Sequence, residues 1–307
     1  MKGTDILTSK QFSREQLDLI LKTAEKYEEA VKAGQVIRDL EGLVVATLFF
    51  EPSTRTRLSF ETAANRLSAR VITVSEPSSS SISKGETLED MIRVVDGYAD
   101  VIVMRNPVKG SAQVAADNAV HPVINAGDGA GQHPTQALLD LYTILKERGT
   151  LSGMTVTMLG DLKFGRTVHS LSYFMALYGN RMVFASPESL KMPEEITREL
   201  RQGGAQVEEI GDVEVALAQS DIVYVTRVQR ERFADPAEYE KVKSAYILDK
   251  ALLAKAKPGI TILHPLPRVG EIAPEVDDYA GAAYFRQAHN GLYVRMALLG
   301  LVTGRAS

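Results

Sequence analysis

The chain predicts an α/β protein of two doubly wound domains, each a parallel sheet flanked by helices, with an active site at strand carboxyl ends between the domains. Three observations carry this expectation. Short apolar, β-branched runs alternate with segments whose apolar residues repeat at helical spacing. The same rhythm restarts at Met154, after a helical segment closed by Gly149. The length of 307 residues exceeds one ordinary core at roughly 100–200 residues per domain.

The elements follow in order. Ser13 opens a capping box with Gln16, and Leu17, Ile20, Leu21, Ala24 and Val31 line the helix that stops near Gly34. Leu43 to Phe50 is a strand, and Phe60, Ala63, Ala64 and Leu67 mark the helix after it. Val71 to Val74 is a short strand, followed by a serine-rich tract ending at Lys84 that reads as a loop. Leu88, Met91, Ile92 and Val95 form one helical face. Asp100 to Met104 and Pro122 to Asn125 are strands, and Pro134 suits the first turn of the next helix. The second half gives strands Met154 to Leu159, Arg181 to Ala185, Asp221 to Thr226 and Ile260 to Leu263. It gives helices over His169 to Tyr178 and around Glu194 to Leu200, a charged loop to about Val242, and a closing helix from Leu292 to Val302.

Composition removes several function classes. The 45% hydrophobic and 24% charged content suits a globular core, and the net charge of −4 argues against general nucleic-acid binding, so any basic site is local. The absence of cysteine excludes disulfides, thiolate metal ligands and a cysteine nucleophile. No apolar leader segment and no apolar run near ~20 residues is present, so the expectation is a cytoplasmic protein without membrane contact.

Chemistry concentrates at strand ends, where ligands sit in such sheets. Glu51-Pro52-Ser53-Thr54-Arg55-Thr56-Arg57 follows a buried strand and opens a helix, with Ser53 or Thr54 expected as its cap. Guanidiniums and hydroxyls there crowd the positive end of a helix dipole, which suits a phosphate. Arg105, then His133 and Gln136, then Arg166 and Thr167, then Arg227 and Gln229, then Pro265 and Leu266 stand at later strand ends. Four strand ends presenting an arginine point to ligands with several negative charges. No acidic cluster and no histidine spacing suggests a metal, and no G-x-S-x-G pattern suggests a covalent intermediate. No cofactor is expected. The segment from Gly160 to Gly165 lacks the G-x-G-x-x-G spacing, which leaves a nicotinamide-dependent dehydrogenase as an alternative, beside a module that merely binds phosphate and a dicarboxylate.

Taken together, Phe50-Glu-Pro-Ser-Thr-Arg-Thr-Arg57, Lys84-Gly-Glu86, His133-Pro-Thr-Gln136, Gly160 to His169 and His264-Pro-Leu-Pro-Arg268 resemble the aspartate carbamoyltransferase catalytic chain, in order from Leu43 to Leu301. The ornithine-type carbamoyltransferases are the sister alternative. They typically carry a cysteine where this chain has Pro265, and they bind a cationic amino acid, whereas Arg166 and Arg227 suit two carboxylates.

The resemblance implies transfer of a carbamoyl group from carbamoyl phosphate to L-aspartate, the first committed step of pyrimidine synthesis. It implies that Ser53, Thr54, Arg55 and Thr56 hold the phosphate with Arg105, and that Thr56, Arg105 and His133 polarise the carbamoyl oxygen. Gln136 and the backbone of Pro265 and Leu266 would orient the carbamoyl and incoming amines. Arg166, Arg227 and Gln229 would bind the aspartate carboxylates, supported by Thr167. Ser81 (with Ser80 as the next choice) and Lys84 would enter from a neighbouring subunit, implying a homotrimer with shared sites, open to a separate regulatory chain. The carbamoyl phosphate domain would be 1–133 plus 285–307, and the aspartate domain 134–284. Glu51, Arg232 and Glu238 stand where the family places inter-domain and loop salt bridges. The chain departs from the family at Gly270, where an aspartate is often found, and at Asn106 and Lys109.

Overall fold

The computed structural model describes residues 1–75, 84–228, 237, 239–240 and 246–306. It contains two compact units, Met1–Leu139 with His289–Ser307, and Asp140–Ala288. The first holds strands β1 (Val44–Phe49), β2 (Arg70–Val74), β3 (Val101–Asn106) and β4 (Val123–Asp128), all parallel, in the order β2-β1-β3-β4. Its helices are α1 (Arg14–Lys32), α2 (Thr54–Arg66), α3 (Leu88–Asp96), α4 (Ser111–Asn118) and the start of α5 (Pro134–Arg148). The second holds β5 (Thr155–Leu159), β6 (Arg181–Ala185), β7 (Val207–Ile210), β8 (Ile222–Val225) and β9 (Thr261–Leu263), also parallel, in the order β7-β6-β5-β8-β9. With them go α6 (Arg166–Leu177), α7 (Glu194–Gln202), α8 (Val213–Ala218), α9 (Lys250–Leu253) and the start of α10 (Tyr284–Thr303). The two doubly wound parallel sheets are the expected fold. No described helix is long and apolar enough to cross a membrane.

Local chemistry explains the boundaries. Ser13 and Gln16 form the expected capping box at the start of α1. At its end Gly34 takes φ +67, its N–H donates to the Val31 carbonyl, and the Gln35 N–H reaches back to Ala30. That is a Schellman stop, which glycine favours because it has no Cβ to clash at positive φ. Several elements run longer than the apolar pattern suggests. β3 takes in Arg105, opposite Phe49, and Asn106, opposite Asp128 of β4. α6 begins at Arg166 rather than His169, and α10 begins at Tyr284 rather than Leu292. The early polar turn of α10 is held by tertiary bonds. Arg286 Nε donates to Glu147 at 2.7 Å, and Gln287 Nε2 donates to Asp140 Oδ1 at 2.6 Å.

Apart from the edge strands β2 and β7, which carry exposed residues, the strands of each sheet are buried on both faces. In the first unit Ala46, Leu48, Phe50, Ile102 and Met104 pack with Met91, Ile92, Ala112 and Ala115 of α3 and α4. The alternate face of β1 is covered by α2, whose Phe60, Ala63 and Ala64 are wholly buried, with Arg295 of α10 stacked 5.1 Å from the Phe60 ring. In the second unit Leu159, Val183, Val223 and Val225 pack with Ala216, Leu217, Leu248, Ile262 and Ile272. Double-sided burial is what a continuous apolar strand requires.

The two units also share a device at the amino ends of their central strands. Asp100, just before β3, accepts the Val44 N–H at 2.8 Å through its carboxylate and donates its own N–H to the Val44 carbonyl at 2.8 Å. Asp221, just before β8, does the same with Thr155, at 2.9 Å for each bond. Each aspartate thus staples the first residue of one central strand to the next and fixes their register. Asp221 also holds Lys257 Nζ at 2.7 Å and lies 3.6 Å from Arg148. Burial pushes its carboxyl up, but the Lys257 bond, the Thr155 N–H and the nearby positive charges more than offset this, so its pKa lies below the usual value.

Asp221→Asn is expected to lower unfolding free energy by about 1–3 kcal/mol at pH 7, read as a lower urea midpoint. A depressed carboxylate stabilises the fold above its unfolded pKa and loses that effect as pH falls through the folded value. The gap between wild type and variant therefore narrows below about pH 4. A gap that stays constant into that acid range would remove the staple's charge from the account.

Candidate functional site

The site residues gather at the carboxyl edges of the two sheets, at the points where strand order reverses. In the first unit that point lies between β1 and β3, and in the second between β5 and β8. Crevices form there because successive crossovers leave in opposite directions.

β1 runs through Phe50, whose N–H donates to the Arg105 carbonyl at 2.9 Å, and then turns into α2. Ser53 is the N-cap by position, with extended backbone, but its hydroxyl makes no capping bond. Thr54 is the first helical residue, so the cap expected from Ser53 or Thr54 is not made. By contrast Ser13, Thr87, Asp212 and Asp249 each close the first turn of their own helices with a side-chain acceptor. The first turn of α2 thus presents backbone N–H donors at the positive end of the helix without a side-chain acceptor.

Arg55 sits in that turn. It is open to solvent on one side, yet the protein around it lowers its pKa by desolvation. A guanidinium remains charged at neutral pH under any such shift, and partial desolvation strengthens its pull on an anion. Thr56 is buried beside it. Arg57 serves another purpose. Its Nε lies 3.9 Å from Glu61 Oε1, the same oxygen that accepts from Thr73 Oγ1 at 3.0 Å. Thr73 in turn lies 2.9 Å from Thr47, so Arg57 helps seat α2 on β1 and β2.

Arg105, at the end of β3, donates from Nε to Glu51 Oε2 at 2.8 Å, with both side chains mostly buried. Glu51 therefore has a partner inside its own unit. β4 ends in a loop ordered by Asp128. Its carboxylate accepts the Gly110 N–H at 2.8 Å and the Gln132 N–H at 2.6 Å. Gly129 donates to the Asn106 carbonyl, and a Cβ there would lie 2.3 Å from the Pro107 carbonyl oxygen, so no larger residue fits. This loop delivers buried His133 and Gln136, the Gln136 N–H donating to the His133 carbonyl at 3.0 Å as α5 begins. Lys84 is exposed, just ahead of α3.

In the second unit β5 ends at Gly160, with φ +112. A Cβ there would lie 2.4 Å from the Thr226 carbonyl oxygen. At Gly165 a Cβ would meet the Asp161 carbonyl oxygen at 2.4 Å. Both glycines are thus required by close backbone approach rather than by a dinucleotide. The loop is pinned by Phe164 N–H to Asp161 Oδ1 at 2.9 Å, Leu162 N–H to the Leu190 carbonyl at 3.1 Å, and His169 Nε2 to the Leu162 carbonyl at 2.7 Å. It opens α6 with Arg166 and Thr167 in the first turn and glycine at the N-cap, which again supplies no side-chain cap. Thr226 Oγ1 donates towards the Leu159 and Asp161 carbonyls at 3.1 and 3.2 Å, tying the end of β8 to that of β5 and placing Arg227 beside the loop.

After β9, Leu266 has φ +56 and its N–H donates to His264 Nδ1 at 2.8 Å. Arg268 is bound by Asp277 and lies 5.4 Å from the Tyr284 ring, so this arginine anchors the loop. Ser80, Ser81, Gln229, Arg232 and Glu238 lie outside the described residues. Sequence reasoning did not single out Asp128, Asp161, Thr226 or Glu271, which order the loops. The available signal was an aspartate within each glycine-rich strand-end segment. No group of three metal-ligating side chains gathers among the described residues.

The family model for the aspartate/ornithine carbamoyltransferase carbamoyl-P binding domain matches residues 4–147, and that for the Asp/Orn binding domain matches 152–302. The chain is 52% identical over 302 residues to the aspartate carbamoyltransferase catalytic subunit of Thermococcus gammatolerans, covering 98% of each. It superposes with TM-score 0.91 and 46% identity on the catalytic subunit of M. Jannaschii aspartate transcarbamoylase, covering 98% of each chain. It superposes with TM-score 0.93 and 40% identity on the Trypanosoma cruzi aspartate transcarbamoylase in complex with carbamoyl phosphate and aspartate, covering 98% of this chain and 97% of that one.

Because the Ser53 hydroxyl makes no cap bond, Ser53→Ala is expected to cost under about 0.5 kcal/mol, against about 1 kcal/mol for Ser13→Ala at a working cap. The same Ser53→Ala change is expected to weaken binding of inorganic phosphate by calorimetry, while Ser13→Ala leaves it unchanged. Equal stability losses with unchanged phosphate affinity would make Ser53 an ordinary cap.

Proposed function

This chain belongs to the aspartate/ornithine carbamoyltransferase family, and we propose that it transfers the carbamoyl group of carbamoyl phosphate to L-aspartate, giving N-carbamoyl-L-aspartate and phosphate. The observation that carries this reading is the pair of uncapped, arginine-bearing helix starts at the two switch points.

The start of α2, with Ser53, Thr54, Arg55 and Thr56, binds the phosphoryl group, and Arg105 assists. Thr56, Arg105 and His133 face the carbamoyl oxygen as negative charge develops there. The free aspartate amine attacks the carbamoyl carbon. The C–O bond to phosphate then breaks, phosphate leaves with the electron pair, and the nitrogen loses a proton. Arg55 stabilises the charge on the leaving phosphate. The reading needs no metal ion, covalent enzyme intermediate or cofactor.

Arg166 and Arg227, with Thr167 and Gln229, bind the two carboxylates of the acceptor. An ornithine side chain would bring a cation to the same arginines, and the sister reaction is disfavoured by that charge. Gln136 and the Pro265 and Leu266 carbonyls orient the amines. Among the described residues, neither carbonyl is paired with a donor. Ser81 and Lys84 act in a neighbouring copy of the chain, which makes the working form a cytoplasmic homotrimer. The relatives' designation as catalytic subunits supports a separate regulatory chain as a further partner. The region through Gln136 acts as the carbamoyl phosphate-binding part, and the segment from 140 to 288 as the aspartate-binding part.

The test is an assay for carbamoylaspartate, with ornithine as the control amine. Product from aspartate alone is expected. Arg55→Ala is expected to lower turnover by roughly 100-fold or more with its fold intact by circular dichroism. Near-normal turnover by that variant would remove α2 from the phosphate site, and product from ornithine alone would reverse the acceptor assignment.

A further inference from the structure

The segment from His264 to Glu271 is closed on itself by one imidazole. His264 is buried, and its Nδ1 accepts the Leu266 N–H at 2.8 Å. A nitrogen that accepts a backbone N–H carries no proton, so the proton lies on Nε2, and Nε2 donates to Glu271 Oε1 at 2.7 Å. The other Glu271 oxygen accepts the Val269 N–H at 3.0 Å. Burial pushes this carboxyl up, but the His264 and Val269 bonds outweigh it and hold its pKa below the usual value. A carboxylate, rather than an acid, thus faces Nε2. From behind, the His264 N–H donates to Gln287 Oε1 at 2.8 Å, and Gln287 is bound to Asp140. The Glu271 carbonyl accepts the Leu248 N–H at 2.9 Å, so the far end of the loop is also fixed.

Leu266 needs this support. Its φ of +56 is in the left-handed region, which residues with a Cβ adopt only at a cost. Its N–H is bound by a side chain two residues earlier, the pattern an asparagine makes in an Asx turn. With the N–H turned onto His264, the peptide's orientation is set, and so is the direction in which the Pro265 carbonyl projects.

We propose that His264 is a positioning residue for carbamoyl transfer, acting through the Leu266 peptide, with Glu271 selecting the tautomer that can do so. The inference rests on the reading that the Pro265 and Leu266 backbone orients the reacting amines. His264 touches no substrate; it holds the backbone that does.

Two isosteric variants separate its two bonds. The amide of His264→Asn lies near the place of Nδ1 and keeps an acceptor for the Leu266 N–H. The amide of His264→Gln lies near the place of Nε2 and keeps a partner for Glu271. Carbamoylaspartate formation is measured for both, beside calorimetric binding of inorganic phosphate and the thermal midpoint. His264→Asn is expected to keep kcat within about fivefold of wild type, and His264→Gln to lose roughly 10–100-fold, since small misplacements of reacting groups cost that much. Phosphate affinity stays unchanged in both. Full activity in the glutamine variant, or an equal loss in both folded variants, would overturn the proposal. If the glutamine variant does not fold, an asparagine variant with more than tenfold lower kcat at an unchanged thermal midpoint does the same. Wild type that makes no carbamoylaspartate would instead fail the reaction assigned above, and this inference with it.

Discussion

Two helices that begin without a side-chain cap are the constraint around which the molecule is arranged. A missing cap costs a helix about 1 kcal/mol; α1, α3 and α8 avoid the cost with serine, threonine or aspartate, whereas α4 and α7 start without one after Gly110 and Pro193. α2 and α6 also lack one, and what sets them apart is that both carry an arginine in the first turn and follow the central strand of their sheet at a point where strand order reverses. Backbone N–H groups left without an intramolecular acceptor must be served by solvent or by a ligand. At the start of α2, beside Arg55 and Arg105, such groups favour an anion; at the start of α6 the Arg166 and Val168 N–H groups already meet the Phe164 and Gly165 carbonyls, so there the pull comes from the charges of Arg166 and Arg227. The local instability is confined to the first turns, because the bodies of the two helices are anchored by buried residues such as Phe60, Ala63 and Phe174.

The opposite ends of the same strands set the register on which the site ends depend. Asp100 and Asp221 bind the first residue of β1 and β5 through both backbone and carboxylate. Register set there propagates along the ladders, so Phe49 meets Arg105 and Leu159 meets Val225 at the far edge. The residues at those carboxyl edges thus owe their alignment to staples several residues away. The two units use one plan although no sequence repeat announces it: central strand, uncapped helix, aspartate before the next central strand.

Much of this was legible in the sequence because the informative residues sit together. The strand that ends at Phe50, the hydroxyl–arginine turn and the arginines at later strand ends need only strand polarity to be read as a site. What was not legible depended on neighbours distant in sequence. β7 reads Val-Glu-Glu-Ile and lies at a sheet edge with both glutamates exposed, so it lacks an apolar run. α8 and α9 span six and four residues, too few for helical periodicity to show. The polar opening of α10 holds its place through Glu147 and Asp140, far back in the chain. Arg55 and Arg57 look equivalent as letters. Only the placement of Glu61 between Thr47 and Thr73 divides them into a solvent-facing group and a packing group.

Gly270 shows how a departure from a family pattern can be absorbed by the backbone. The family resemblance leads to the expectation of an aspartate at this position. In the structure Gly270 has φ +142, a conformation that side-chain-bearing residues rarely adopt, although a Cβ would meet nothing within 4 Å. The restriction is therefore torsional rather than steric with respect to neighbours. The conformation matters because Gly270 lies between Val269 and Glu271, and the Glu271 carboxylate reaches back to the Val269 N–H. Glycine lets the chain fold back far enough for that bond while Glu271 also receives the His264 proton. An aspartate at 270 would have to strain its backbone or move the Glu271 carboxylate away from the imidazole. In this chain the order of the loop rests on buried hydrogen bonds around His264 and Glu271, and the exposed position between them is free to be the residue that makes those bonds reachable.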